Sequence, residues 1–370
     1  MPPISIMIKP ASGRCNMRCS YCFYSDETSL REVQDHGLMQ QKTLDQILQK
    51  TLEQAQGSAS FVFQGGEPTL RGLDFFKYAA QKQREYNSSN LKITNALQTN
   101  GLLLDEDWCV FLKREGWLVG LSVDGTAALH NRHRFDAAGQ GTLARVMSAA
   151  RLLQKHKVEF NVLTVVTEET VARTGMIYEF FRENKLLWQQ YIPCIDSFDG
   201  EKNWLTAEGY GLFLCRLFDR WLQDILSRRF IYIRQFENYI GMLLGQAPET
   251  CGMAGLCTRQ FVVEADGSVY PCDFYAMDDY YLGNFSTDSI DDMDRRRQEI
   301  SFVEKSLIKD EECLNCSFYS LCRGGCRRDR EDSTGMLTRT RYCSAYKVFF
   351  AHALPGLMML ADSIRKQQHI

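Results

Sequence analysis

"ISIMIKPASGRCNMRCSYCFY", residues 4–24, decides how the chain is read. Its opening, ISIMI, is a short apolar run that reads as a β-strand. Cys15, Cys19 and Cys22 follow within eight residues. A closed structural zinc site takes four protein ligands. Here there are three, and the nearest fourth candidate, His36, stands fourteen residues beyond Cys22 in a polar loop. Three thiolates at this spacing suit three of the four irons of a [4Fe–4S] cube. The fourth iron is then open to a substrate or cofactor.

Outward from this stretch the chain has a rhythm. SFVFQ (60–64), LKITNALQT (91–99), WLVGLSV (117–123), VEFNVLTVV (158–166) and LLWQQYIP (186–193) read as further strands. Amphipathic segments over about 38–56, 73–86, 105–115, 142–156, 169–184 and 206–227 read as helices. This alternation predicts βα units and a parallel sheet, either doubly wound or an incomplete barrel. The cysteine loop then leaves the C-terminal end of strand one, where such folds place their chemistry. No G-x-G-x-x-G follows that strand, which argues against a dinucleotide site.

Past about residue 235 the rhythm stops. FVVEADGSVYPC (261–272) carries an Asp-Gly turn between apolar runs, a hairpin signal. Around it lie eight cysteines: Cys251, Cys257, Cys272, Cys313, Cys316, Cys322, Cys326 and Cys343. The division expected is therefore 1–235 and 236–370, the second part small, loop-rich and cysteine-rich. Cys109, Cys194 and Cys215 read as packed thiols.

Composition sets the outer bounds. The 370 residues are 45% hydrophobic and 24% charged, with a net charge of −3 and a pI near 6.1. Such a balance favours neither nucleic acid nor an anionic membrane as partner. Arg295–Arg296–Arg297 and Arg327–Arg328 have acidic neighbours and read as solvated faces. MPPISIMIKPASG lacks the pattern of a secretory leader, so a reducing, cytoplasmic setting is expected, with the clustered cysteines free for metal or redox chemistry. VFFAHALPGLMMLAD (348–362) reads as a packed terminal helix, too short for a bilayer and kinked or broken near Pro355.

C-x3-C-x2-C with Tyr21 before the last cysteine resembles the radical S-adenosylmethionine enzymes. FQGGEPTL, LQTNG and DGSVYPCDFY look like the anaerobic sulfatase-maturating enzymes in particular. The resemblance implies a partial (β/α)6 TIM-like barrel over 1–235. It implies a SPASM domain over 236–370, with a β-hairpin and a C-terminal helix. It assigns S-adenosylmethionine to Tyr21, Gly65, Gly66, Glu67, Ser122, Asp124, Arg134 and Ile195. It implies three [4Fe–4S] clusters: one on Cys15, Cys19 and Cys22, one on Cys251, Cys257, Cys272 and Cys326, and one on Cys313, Cys316, Cys322 and Cys343.

The implied reaction is oxygen-independent oxidation of a Cys or Ser in a sulfatase polypeptide to Cα-formylglycine. A 5′-deoxyadenosyl radical from S-adenosylmethionine would abstract the hydrogen, and a low-potential donor of ferredoxin or flavodoxin type would supply electrons. Asp273, next to Cys272, matches the family's base; its bland alternative is an aspartate bonding backbone amides at the end of the hairpin. Tyr24, Gln64 and Gln98 are expected against the substrate backbone. Two other readings stand beside this one: a SPASM-type maturase of another peptide, forming thioether or other crosslinks, and a non-catalytic zinc or iron–sulfur protein.

Three four-iron cubes require about twelve irons per chain after anaerobic reconstitution. Replacing Cys15, Cys19 and Cys22 together with Ala should leave about eight. Iron near four, with zinc making up the rest, would contradict the assignment.

Overall fold

Ile4–Ile8 (β1) is a strand because its burial alternates: Ile4, Ile6 and Ile8 are buried, while Ser5 and Met7 are partly exposed. The computed structural model describes residues 3–197, 203–331 and 335–368. The other strands are Ser58–Phe63 (β2), Lys92–Thr99 (β3), Leu118–Ser122 (β4), Phe160–Val166 (β5), Trp188–Pro193 (β6), Tyr232–Ile233 (β7), Phe261–Val263 (β8), Ser268–Tyr270 (β9) and Gly283–Asn284 (β10). Helices follow each of β1 to β6, so the chain is an α/β fold built on parallel strands, as the rhythm predicts.

One compact unit takes in the chain up to Val123, His130–Asn161 and Arg259–Ser301. In it β1, β2, β3 and β4 lie side by side and parallel. The other edge of β1 takes β8, also parallel, with Ile6 opposite Phe261. β9 and β10 continue antiparallel beyond it. The hairpin is therefore part of this unit's sheet, and the contacts do not follow the 1–235 and 236–370 division. The reason lies in β8. Phe261, Val262 and Val263 are all fully buried, and such a strand needs covered faces and a ladder partner, which β1 supplies.

The other unit takes in Asp124–Leu129, Val162–Thr258 and the chain from Phe302 onward. Its strands β5, β6 and β7 are parallel. The helix Ala207–Leu226 buries Phe213, Leu214, Leu217, Phe218 and Trp221 and packs along Cys343–Gln368. Phe218 meets Phe236 edge-on at 5.3 Å, and Phe236 stacks on Phe349 at 5.7 Å.

Several sequence expectations need correction. The terminal helix is neither short nor broken: it runs through Pro355 for 26 residues. By length and composition Cys343–Gln367 would suffice to cross a membrane; here its Phe349, Phe350, Ala353 and Leu357 are buried in protein. Burial of one face against Ala207–Leu226 compensates for the backbone donor that proline lacks. The segment 169–184 is two helices, Glu168–Ala172 and Thr174–Glu183. The arginine clusters are not wholly solvated. Arg297 is 4% exposed, donates to the Gln260 carbonyl and lies over the Phe261 ring. Arg327 does the same with the Phe302 carbonyl and ring. Arg297 thus satisfies the carbonyl of a loop residue just before β8, and Arg327 that of the first residue of the helix Phe302–Leu307. Cys215 is half-buried rather than buried.

Candidate functional site

In the first unit the loop after β1 carries Cys15, Cys19 and Cys22, and a short helix, Phe23–Ser29, begins directly at the third cysteine. Two other loops clamp it. From the end of β2, Gly65 and Gly66 have φ of +100° and +53°. A Cβ on Gly66 would lie 2.2 Å from the Arg14 carbonyl oxygen, and one on Gly65 would lie 2.5 Å from Cγ of Lys9. Only glycine permits both the turn and this approach. The Glu67 amide then donates to the Arg14 carbonyl at 2.8 Å.

The Glu67 side chain, 1% exposed, joins these loops to the end of β3. Its Oε1 accepts from the Thr69 amide, the Thr69 hydroxyl and the Thr99 hydroxyl, and its Oε2 from the Asn100 amide at 2.7 Å. Burial raises its carboxyl above the ordinary value, against these hydrogen bonds. Asn100 in turn donates to Asn16 at 2.8 Å and to the Cys15 sulfur at 3.6 Å, and the Met17 amide reaches the same sulfur at 3.3 Å. Donors aimed at sulfur are what a cluster thiolate requires. Burial pushes the free Cys15 thiol up to about 12, so metal binding there releases a proton.

From the third side, the backbone of His133 and Phe135 accepts from Ser20 and Arg18. Ser20 bonds His133 Nδ1 at 2.8 Å, and the Arg134 guanidinium lies 5.4 Å from the Tyr21 ring centre. Tyr21, Gly65, Gly66, Glu67 and Arg134 thus gather around the cysteine loop. Gln98 donates to Ser122 at 3.2 Å, between the ends of β3 and β4. His36 pairs with Asp266 at 3.2 Å, which gives it a role in the hairpin instead of as a zinc ligand.

Asp273, 6% exposed, follows Cys272 in the same unit. Its Oδ2 accepts from the Tyr24 hydroxyl at 2.6 Å and the Gln64 amide at 2.9 Å, and Gln64 also donates to Tyr24 at 2.8 Å. Tyr24 and Gln64, read from sequence as substrate contacts, therefore hold this carboxylate. Burial and the Asp273 charge push the Tyr24 hydroxyl well above its ordinary range, so it stays a donor. The bland reading of Asp273, bonding backbone amides at the hairpin's end, finds no such bond among the described residues. Sequence reading missed the charges behind it: Lys9, Glu27, Arg31 and Glu264, all buried.

In the second unit Asp124 accepts from the Val165 amide at 3.1 Å, a structural use of its carboxylate. Ile195 is partly buried, next to buried Cys194. Cys313, Cys316, Cys322 and Cys343 line one cavity, which fits a single cluster held by all four. Cys251 and Cys257 lie near Cys326; Cys272 belongs to the first unit. Among the described residues no three His, Cys, Asp or Glu side chains converge on a single-ion site. In a cube each thiolate takes a different iron, so its ligands need no such convergence.

Residues 10–181 match the radical SAM superfamily, and residues 255–317 an iron–sulfur cluster-binding domain, SPASM. A cysteine-type anaerobic sulfatase-maturating enzyme of Clostridium perfringens is 44% identical over 99% of this chain and 100% of its own. A serine-type enzyme of Bacteroides thetaiotaomicron is 30% identical over 99% of this chain and 93% of its own. Among solved structures, native anSMEcpe with bound AdoMet and Cp18Cys peptide superposes with a TM-score of 0.93 at 43% identity, over 98% of this chain and 100% of that one.

The clamp on the cysteine loop is testable at Gly66. Gly66→Ala should displace the Arg14 carbonyl and cost the open cluster, read as a loss of about four irons per chain after reconstitution. Full iron content would show that the loop absorbs the extra carbon.

Proposed function

Because this chain belongs to the radical SAM superfamily and, within it, to the anaerobic sulfatase-maturating enzymes, we propose that it oxidises a cysteine side chain of a sulfatase polypeptide to Cα-formylglycine without oxygen. Membership in an enzyme family removes the non-catalytic zinc or iron–sulfur reading. The preference for cysteine rests on 44% identity to a cysteine-type relative against 30% to a serine-type one. The observation that carries the reading is the Asp273 carboxylate, held by Tyr24 and Gln64 beside Cys272 in the unit that bears Cys15, Cys19 and Cys22.

Cys15, Cys19 and Cys22 would hold one [4Fe–4S] cluster and the other eight assigned cysteines two more; Tyr21, Gly65, Gly66, Glu67, Ser122, Asp124, Arg134 and Ile195 would hold S-adenosylmethionine. When bound, these groups supply hydrogen-atom abstraction from the target Cβ and an acceptor for the second electron. The protein's own part is the proton. The target loses one hydrogen atom from carbon, one proton from sulfur and one electron, which makes a thioaldehyde. Water exchanges its sulfur for oxygen and hydrogen sulfide leaves. A thiol with a reference pKa near 8.5 is mostly protonated at neutral pH, so the step needs a base within reach. Asp273 takes this proton on its carboxylate, which Tyr24 and Gln64 hold. Gln98 would meet the extended substrate, and a ferredoxin- or flavodoxin-type donor would supply electrons in a cytoplasmic setting.

The direct test is mass spectrometry of a cysteine-containing sulfatase peptide after anaerobic incubation with S-adenosylmethionine and a reductant; an unchanged peptide alongside released 5′-deoxyadenosine contradicts the reading. Asp273→Asn should keep its iron and still release 5′-deoxyadenosine, yet yield little formylglycine, because hydrogen abstraction precedes proton loss. Near-normal yield would exclude Asp273 as the base. Arg134→Ala should weaken S-adenosylmethionine binding by about 1.5 kcal/mol or more, roughly tenfold, with the clusters intact. Unchanged affinity in a binding titration would return Arg134 to its packing role over Tyr21.

A further inference from the structure

Behind Asp273 lies a closed set of charges. Lys9 continues β1 by one residue and is 1% exposed. Its Nζ lies 3.3 Å from Asp273 Oδ1, 3.7 Å from Glu264 Oε1 and 3.8 Å from Glu27 Oε2. It also lies 4.6 Å from the Tyr24 ring centre. Arg31 closes the set, donating to Glu264 at 2.6 Å and pairing with Glu27 at 3.2 Å. The Ala276 amide holds Glu27 Oε1 at 2.6 Å.

The five charged groups come from four separate parts of the chain and are all nearly inaccessible to water. Burying them is costly unless each is paired. Two cations face three carboxylates. Such an arrangement is unfavourable as mere packing, and the part of it that reaches the proposed chemistry is Lys9.

We propose that Lys9 is a positioning residue for the proton-accepting carboxylate. Its ammonium pins Oδ1 of Asp273 and thereby turns Oδ2 toward Tyr24 and Gln64. Its stem does a second job: it fills the space under Gly65, where a Cβ would be only 2.5 Å away. One side chain thus sets the distance between the Gly65–Gly66 turn, which clamps the cysteine loop, and the carboxylate that takes the proton. Burial alone would lower the Lys9 ammonium, but Asp273, then Glu27 and Glu264, outweigh it and hold the group charged. Glu264 and Glu27 serve as its fixed counter-charges. Without Lys9, Asp273 would lose the contact on Oδ1 while keeping both hydrogen bonds on Oδ2. Its carboxylate would then be free to turn about those bonds, and misplacement on the scale of an ångström is enough to cost catalysis heavily.

This inference rests on the formylglycine reading, and the test separates the two. Lys9→Met keeps the length of the stem beneath Gly65 and removes the charge. Removing one buried cation alone leaves the carboxylates under-paired, so the second variant is Lys9→Met with Glu264→Gln. In that variant one cation, Arg31, faces two carboxylates, and the excess of one negative charge is the same as before. The amide oxygen introduced by Glu264→Gln would still accept from Arg31. Wild-type and variant holoenzymes, reconstituted anaerobically, are given a cysteine-containing sulfatase peptide, S-adenosylmethionine and dithionite. Formylglycine, 5′-deoxyadenosine, iron and the peptide KM are measured. Both variants should retain iron and peptide KM, while formylglycine formed per 5′-deoxyadenosine falls by roughly tenfold or more. A purely structural role would instead lower iron, S-adenosylmethionine cleavage and product together, and that result overturns the proposal. A wild-type ratio in the double variant overturns it as well. A wild-type enzyme that releases 5′-deoxyadenosine but makes no formylglycine overturns the functional reading, and this proposal with it.

Discussion

One buried carboxylate holds the site's frame together. Glu67 begins from the β2 loop, where its amide already grips the Arg14 carbonyl, and commits both oxygens to Thr69, Thr99 and Asn100. Three loops that would otherwise move separately become one piece. Asn100, placed by this bond, reaches the Cys15 sulfur. A buried carboxyl group with four donors is a strong anchor in a low-dielectric interior. Removing it would leave the Thr99 hydroxyl and the Asn100 amide buried without their partner, which is the most destabilising way to lose a hydrogen bond. The glycines beside it matter for the same reason: they bring backbone close enough for the anchor to hold.

The site gives up stability to gain this order. Lys9, Glu27, Arg31, Glu264 and Asp273 would be better replaced by packed apolar side chains if stability were the only demand. Burial, with the Asp273 charge, pushes Glu27 up to about 7 despite both Lys9 and Arg31, while Glu264, which faces the same two cations and takes the Arg31 hydrogen bond, stays below its ordinary value. The contrast shows how finely the two cations are shared. Conflicts of this kind with the rules of core packing are where function is expected.

Much of this was legible in the sequence, and the limits are physical. The strand–helix rhythm was readable because β1 to β6 and their helices carry periodic burial, and the cysteine spacing because it is local. The glycines of GGEP announced a tight loop. Nothing local announced Lys9, Glu27, Arg31 and Glu264: each is an ordinary charged residue until β8 docks beside β1 and brings Glu264 and Asp273 against it. The same docking moved the hairpin into the first unit. Tyr24 and Gln64 were singled out for a different duty, since the sequence does not say that both bond Asp273. Arg297 and Arg327 look solvated because a charge run carries no sign of the carbonyls it will satisfy. Pro355 looks like a break because its effect is local, whereas the packing that carries the helix past it is not.

The parallel pairing of β1 with β8 also sets an order of events during synthesis. Once β1 has been made, its second edge stays open until Phe261–Val263 emerges. At about 5–20 residues per second that interval is roughly 13–50 s. Tyr24 waits as long for Asp273, 249 positions away. Throughout that time the nascent chain presents an unpaired apolar edge and a loop of exposed thiols. Cys15, Cys19 and Cys22 are therefore made well before Asp273, and the surroundings that the folded unit gives them are complete only after translation has passed the hairpin.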